Sequence, residues 1–170
     1  MVKMGRRKLH GLSERSLYLN ANLIYSEALN CIRKENWKRN IRTGTLPKLR
    51  QEGYKLVTSI LTRMEVMQRL TREENLPINL ARKIYFEVLL TFSIYEITSL
   101  DKVILLHNSL IDKLATSNLD FKDALHLLIA KYQQIPLCTH DKKLRGNFSN
   151  HETKTRFYEE VYKPQELIKK

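Results

Sequence analysis

Polar and apolar positions along the chain follow two periods in turn. Short apolar runs of strand type occur at "SLYLN" (16–20), "KLVTS" (55–59), "SIYEI" (93–97) and "IPLCTH" (135–140). Between them, apolar residues recur with the spacing of one helix face. "ANLIYSEALNCIRKENWK" places Leu23, Ile24, Ala28 and Leu29 on one side. "ILTRMEVMQRLTREEN" is a helix that Ser59 can cap, and "LPINLARKIYFEVLLTF" is another with Pro77 near its start. "SLDKVILLHNSLIDKLATSN" and "LDFKDALHLLIAKYQQ" are also helical in pattern. "DKKLRGN" is a short turn or helix. "TRFYEEVYKPQELIKK" holds a final strand and a piece after Pro164. "RNIRTGTLPKLRQEGY" carries Gly44, Pro47 and Gly53 and is expected to be a loop or broken insertion.

Strands that alternate with helices predict a parallel sheet covered on both faces. With 170 residues, the chain can bury the core of one domain. No repeat, low-complexity tract or long linker divides it. In such sheets the site lies beyond the carboxyl ends of the strands, so the polar residues just after each strand are the ones to weigh.

Composition adds limits. A hydrophobic content of 42% suits a packed protein. No apolar run approaches the ~20 residues of a membrane span. The start, "MVKMGRRKLHGLSER", lacks the apolar core of a signal peptide, so a cytoplasmic protein is expected. Cys31 and Cys138 have neither metal-ligand spacing nor a disulfide framework and are expected to be structural thiols.

Charge changes the picture more. The net charge is +12, and residues 1–55 hold 13 basic against 4 acidic residues. This skew points to an electropositive surface for nucleic acid or an acidic partner. A solvated basic surface without a ligand is the alternative. Membrane binding is disfavoured, because the basic segments have no wide apolar helical face.

Four positions carry candidate chemistry. Asn20 ends the first strand, Glu65 lies about two turns into the helix after the second, Asp123 is early in "LDFKDALHLLIA", and Asp141 follows the fourth strand. A parallel sheet brings such positions to one edge. Carboxylates gathered without intervening Lys or Arg repel one another, and such clusters usually hold a hard cation such as Mg²⁺ or Mn²⁺. A cation held so can activate water and steady phosphate charge. Each residue also has a plainer reading: Glu65 as a solvated helix residue, Asp123 as an acid favoured by the helix dipole, Asp141 as a helix cap. Asp120 suits an N-cap, with help to a metal through water as the alternative, His126 suits a satisfied core histidine, and the Thr139 hydroxyl can orient Asp141 or a metal-bound water. His140 adjoins Asp141, but metal-bound water as the nucleophile would make a catalytic histidine unnecessary.

"LYLNANLIYSEAL", "LVTSILTRMEVMQRL", "LDFKDALHLLIAKYQQIPLCTHDKKLR" and "FYEEVYKPQELI" together resemble the PIN-domain ribonucleases, and most of all the VapC-like toxins of type II toxin–antitoxin pairs. The likeness runs over about residues 16–168, after a basic arm at 1–15 and around a basic insertion at about 39–54. It implies an α/β three-layer, Rossmann-like sandwich on a mainly parallel sheet of about five strands. It also implies Mg²⁺- or Mn²⁺-dependent endonuclease cleavage of single-stranded RNA, a homodimer and a cognate antitoxin. Carried over residue by residue, the second, third and fourth acids match Glu65, Asp123 and Asp141, Thr139 matches the small hydroxyl residue before the last, and Asn22 matches the polar residue after the first. The first acid should be Asp, and Asn20 stands there. Asn keeps the shape and a ligating oxygen but not the charge, so strongly reduced or absent cleavage is expected. Either an introduced change or a naturally degenerate site accounts for it.

Arg33, Lys34, Lys38, Arg39 and Arg42 cluster around Trp37, and Lys142, Lys143 and Arg145 follow Asp141. Cations with an aromatic among them suit single-stranded RNA. A core or interface role for Trp37, and a solvated face for the cations after Asp141, are the alternatives. Beside the toxin reading stand a non-catalytic RNA-binding PIN fold and a housekeeping RNA-processing nuclease. A nucleotide-binding α/β protein is disfavoured, since "NANLIY" replaces a Gly-rich loop after the first strand.

Overall fold

Strands whose residues are buried on both faces dictate the architecture. The computed structural model describes residues 15–33, 44–100, 112, 119–146 and 158–168. The elements are β1 (Ser16–Leu19), α1 (Ala21–Arg33), α2 (Thr45–Gln51), β2 (Lys55–Ser59), α3 (Ile60–Arg72) and α4 (Ile78–Thr91). They continue as β3 (Tyr95–Ile97), α5 (Phe121–Gln133), β4 (Leu137–Cys138), α6 (Lys142–Gly146), β5 (Val161–Tyr162) and α7 (Pro164–Leu167). The strands form one sheet in the order β3-β2-β1-β4-β5, and every pairing is parallel.

Successive side chains on a strand point to opposite faces, and the core divides accordingly. Leu17, Leu19, Leu56 and Cys138 join a cluster completed by α1, α2, α3 and α4, through Ile24, Leu49, Leu70 and Tyr85 among others. Tyr18, Val57 and Leu137 point the other way, into a cluster with Leu127, Leu128 and Ile129 of α5 and Leu144 of α6. This is the expected three-layer α/β sandwich. β1 is buried along its whole length, which is why its sequence is almost uninterrupted in its apolar character.

Two local expectations are corrected. The segment expected as a loop contains the helix α2, with Pro47 in its first turn, a position proline tolerates. Leu46 and Leu49, three residues apart, are fully buried, so core burial outweighs the Gly and Pro signals on either side. The helix also stops before Gly53, whose φ of +85° turns the chain into β2. Ser59 occupies the N-cap position of α3 but makes no side-chain cap; its hydroxyl bonds instead to the Tyr18 hydroxyl at 2.8 Å. Helices α4 and α5 end without glycine, at Ser93 and Gln134 in the left-handed region.

The cysteines are both free, and burial pushes each thiol up to about 12. Among the described residues, no helix is long and apolar enough to cross a membrane. The helix expected over "SLDKVILLHNSLIDKLATSN" lies largely outside the described residues, as do the arm before Arg15 and Trp37.

Replacing Leu49 tests whether α2 belongs to the core. Leu49→Ala is expected to lower unfolding free energy by about 2–5 kcal/mol in chemical denaturation; a loss under about 0.5 kcal/mol would mean that α2 is surface dressing.

Candidate functional site at the carboxyl edge of the sheet

The chain places β2 and β3 on one side of β1, then crosses back to place β4 and β5 on the other. The strand order therefore reverses between β1 and β4, and a crevice opens at such a reversal beyond the carboxyl ends. Asn20 follows β1 directly, and Thr139 and Asp141 follow β4. The Asn20 backbone N–H donates to the Cys138 carbonyl at 3.1 Å, tying the two strand ends together.

Short polar contacts build this edge. Asn20 is 5% exposed, and its Oδ1 accepts the Asn22 backbone N–H at 3.1 Å, opening α1. Asn22 Nδ2 donates to Thr139 Oγ1 at 3.2 Å. The same hydroxyl oxygen accepts the Asp141 backbone N–H at 3.0 Å. Thr139 thus joins the start of α1 to the turn after β4; it orients the Asp141 backbone and not its carboxylate. Asp141 Oδ1 accepts the backbone N–H of Lys143 at 2.7 Å and of Leu144 at 3.3 Å. The cap reading for Asp141 is therefore physically realised, with one of its two oxygens committed to it.

Asp120 caps α5, accepting the Asp123 backbone N–H at 2.9 Å. Asp123 is half-buried in the first turn. Its carboxyl is pushed up to about 6, first by burial and then by the negative charges of Asp120, Asp141 and Glu65, with His126 opposing. These acids therefore share one field. Among the described residues, no Lys or Arg forms an ion pair with Glu65, Asp123 or Asp141.

Glu65 is held differently. Its Oε1 lies 2.8 Å from His126 Nε2, and His126 Nδ1 lies 2.8 Å from the Tyr18 hydroxyl. His126 and Tyr18 are fully buried. Burial raises the Tyr18 phenol above its ordinary value, so it stays protonated. His126 is a satisfied core histidine, as expected, but one whose partner is a candidate site acid. Nothing in the spacing of Tyr18, Ser59, Glu65 and His126 signals this chain. The only hint is that His126 falls one turn after Asp123.

Whether the edge suits a divalent cation depends on its donors. All are oxygens, which Mg²⁺ and Mn²⁺ prefer. Asn22 Oδ1 is buried with no hydrogen-bond partner among the described residues, an acceptor that a cation or its water shell would satisfy. Among those residues, no three His, Cys, Asp or Glu side chains stand close enough to hold an ion by themselves. Mg²⁺ keeps several waters and takes one or two carboxylates. The residues fit an ion held loosely and largely hydrated, rather than one caged by protein.

Beside Glu65 opens a groove of about 650 Å³, lined by Met64, Met67 and Ile78 with Arg63, Arg82 and Lys122. Arg63 is engaged there by Glu96 at 2.6 Å. Of the expected RNA-contacting cations, Lys142 and Lys143 are exposed beside Asp141. Arg145 is partly buried, with its Nε unpartnered among the described residues. Arg33 is not brought to the edge. It ends α1, about 20 Å along the helix axis from Asn20, and pairs with Glu74 at 3.4 Å. Lys34, Lys38, Arg39 and Arg42 lie outside the described residues. His140 is exposed, and its pKa is lowered by partial burial and then by Arg145.

With this geometry in view, comparison with protein families is informative. The family model described as the PIN domain matches residues 33–147, more than half of the chain. The chain belongs to the PIN domain family. PIN domains are generally nucleases that act on RNA and typically use divalent metals. The match contains Glu65, Asp123, Thr139 and Asp141, whereas β1 and Asn20 precede it. Comparison with curated proteins gives no match.

The raised Asp123 carboxyl has a measurable consequence. Its ordinary value is about 3.9, so between about pH 4 and pH 6 the folded chain binds a proton that the unfolded chain releases. Stability therefore falls as pH rises through that window. In the presence of chelator, Asp123→Asn is expected to raise Tm at pH 7 by roughly 2–4 °C, about 1 kcal/mol after allowing for half-exposure. Little change is expected at pH 3.5. An equal effect at both pH values would show that Asp123 carries no such strain.

Proposed function

We propose that the chain is a metal-dependent endoribonuclease of single-stranded RNA, toxin-like in type, in which Asn20 occupies the place of the first acid and suppresses cleavage. The observation that carries this reading is that Asp123, Asp141 and Glu65 lie near enough at the carboxyl edge to feel one another's charge, with no Lys or Arg ion-paired to them among the described residues; burial first, and then this repulsion, push the Asp123 carboxyl up to about 6. A folded protein gains nothing in stability from such repulsion, so a ligand of opposite charge is its natural use.

A divalent cation, when bound, would supply positive charge to the scissile phosphate and acidify water. Asp123 and Asp141 would hold it, with Glu65 and the Asn20 oxygen nearby. Thr139 and Asn22 would fix the distance between the strand ends. Lys142 and Lys143, exposed next to Asp141, suit phosphates of the same strand. Asn20 can lend an oxygen but no charge.

A homodimer and an acidic antitoxin tail fit the same reading. Ile78, Phe86, Leu90 and Tyr95 are large, apolar and exposed, and the excess positive charge suits an acidic partner. A second reading, a PIN fold that binds RNA without cutting it, is favoured by one observation. Asn20 already performs a structural task, opening α1 through Oδ1, that needs no charge. The housekeeping-nuclease reading shares the chemistry and differs only in lacking an antitoxin.

The deciding experiment compares the chain with its Asn20→Asp variant on single-stranded RNA with Mg²⁺ or Mn²⁺. The Asp form is expected to cleave at least ~100-fold faster, the upper range seen for lost ligand support, and chelator should abolish it. Silence in both forms would overturn the nuclease reading. RNA affinity, measured separately, is expected to fall by about tenfold or more between 50 and 200 mM salt; a flat response would remove the phosphate-contact role of Lys142 and Lys143.

A further inference from the structure

The groups that hold Glu65 form a continuous string of short contacts. Tyr18 comes from the middle of β1, Ser59 from the end of β2, Glu65 from α3 and His126 from α5. Their contacts run Ser59 Oγ to Tyr18 hydroxyl at 2.8 Å, Tyr18 hydroxyl to His126 Nδ1 at 2.8 Å, and His126 Nε2 to Glu65 Oε1 at 2.8 Å. Ser59, Tyr18 and His126 are fully buried, while the Glu65 side chain is 18% exposed. The chain of contacts thus starts in the core and surfaces only at a carboxylate. A buried polar string costs desolvation and stabilises little beyond an apolar packing of equal volume. What it can give is direction, because each partner fixes the rotamer of the next.

We propose that His126, held by Tyr18 and Ser59, is a positioning residue that fixes the Glu65 carboxylate for cation binding at the carboxyl edge. This rests on the metal-dependent reading of that edge. A carboxylate can only accept a hydrogen bond, so the imidazole presents hydrogen on Nε2 to Glu65. The Tyr18 hydroxyl at Nδ1 and the Ser59 hydroxyl behind it hold the ring plane. Without the imidazole, the partly exposed Glu65 side chain would be free to change rotamer, including toward the groove that it lines. The arrangement has the form of a ligand oriented by an outer partner, the role usually filled by a carboxylate behind a ligating histidine, with the two groups exchanged.

The test is made in the Asn20→Asp protein, reading Mn²⁺ affinity by electron paramagnetic resonance and folding by circular dichroism. His126→Leu removes the donor and is expected to weaken Mn²⁺ binding by about tenfold or more. His126→Gln, whose amide nitrogen can stand where Nε2 stands, is expected to stay within about threefold of the parent, well inside that loss. Tyr18→Phe should shift affinity in the same direction as the Leu variant and by less. A folded Leu variant with parental affinity, or a Gln variant no better than Leu, overturns the inference alone. A parent that binds no Mn²⁺ overturns both the metal reading and the inference. In the chain as given, ¹⁵N resonance of the imidazole should show hydrogen on Nε2; a bare Nε2 overturns the orientation without reference to metal.

Discussion

The pairing of β1 with β2 on one side and β4 on the other is the constraint from which the rest follows. It buries β1 on both faces, so its central and final residues, Leu17, Tyr18 and Leu19, are large and apolar or, for the Tyr18 hydroxyl, internally paired. It sends Leu17 and Leu19 to one helical layer and Tyr18 to the other. It also makes β1 the point where strand order reverses. The residue after β1 and the residues after β4 are then adjacent, whatever they are. The fold creates a crevice there, and its side chains decide what the crevice can do.

Two kinds of polar group meet at that crevice, and they behave oppositely. Asn20, Asn22, Thr139 and Asp141 are tied to one another, and through Asp141 to the backbone of Lys143 and Leu144, by hydrogen bonds of 2.7–3.3 Å. They lock the geometry of the strand ends. Asp123, by contrast, is left with neighbours of its own sign and a raised carboxyl. The locked set makes the strained set possible, because charges that could move apart would do so. Glu65 stands between the two regimes: it adds to the field on Asp123 while being anchored by a buried chain through His126 and Tyr18. Structure and strain are thus assigned to different residues within one small edge.

Much of this was legible in the sequence, and for identifiable reasons. The alternation of strand and helix patterns gave the parallel sheet, because burial on both faces leaves strands nearly free of charge. The positions of Asn20, Thr139 and Asp141 followed from strand ends alone. Glu65 and Asp123 followed from their places early on their helices and from the resemblance. The helix α2 was not legible. Its Gly44, Pro47 and Gly53 mark both ends and the first turn, and a seven-residue helix has too short a period to outvote them. The Ser59 cap failed because a hydroxyl at a helix start has several possible partners, and a buried phenol from a neighbouring strand competes with the helix amide. Sequence separation hides such partners: Tyr18 and His126 are 108 positions apart, and only the stacking of β1 against α5 brings them together.

The same logic explains why Asn20 leaves the fold untouched. The contacts made by residue 20 are its backbone N–H to Cys138, its carbonyl to the Leu23 N–H, and its side-chain oxygen to the Asn22 N–H. An aspartate would make each of these equally well, since each uses only the backbone or an accepting oxygen. The difference between the two residues is therefore confined to one unit of charge, placed beside acids that already repel one another. In the absence of a cation that charge is a cost, and Asn removes it. On the proposed reading, in the presence of one it would be a ligand, and Asn forfeits it. On that reading, stability and cation binding pull in opposite directions at residue 20, and the amide favours the first at the expense of the second.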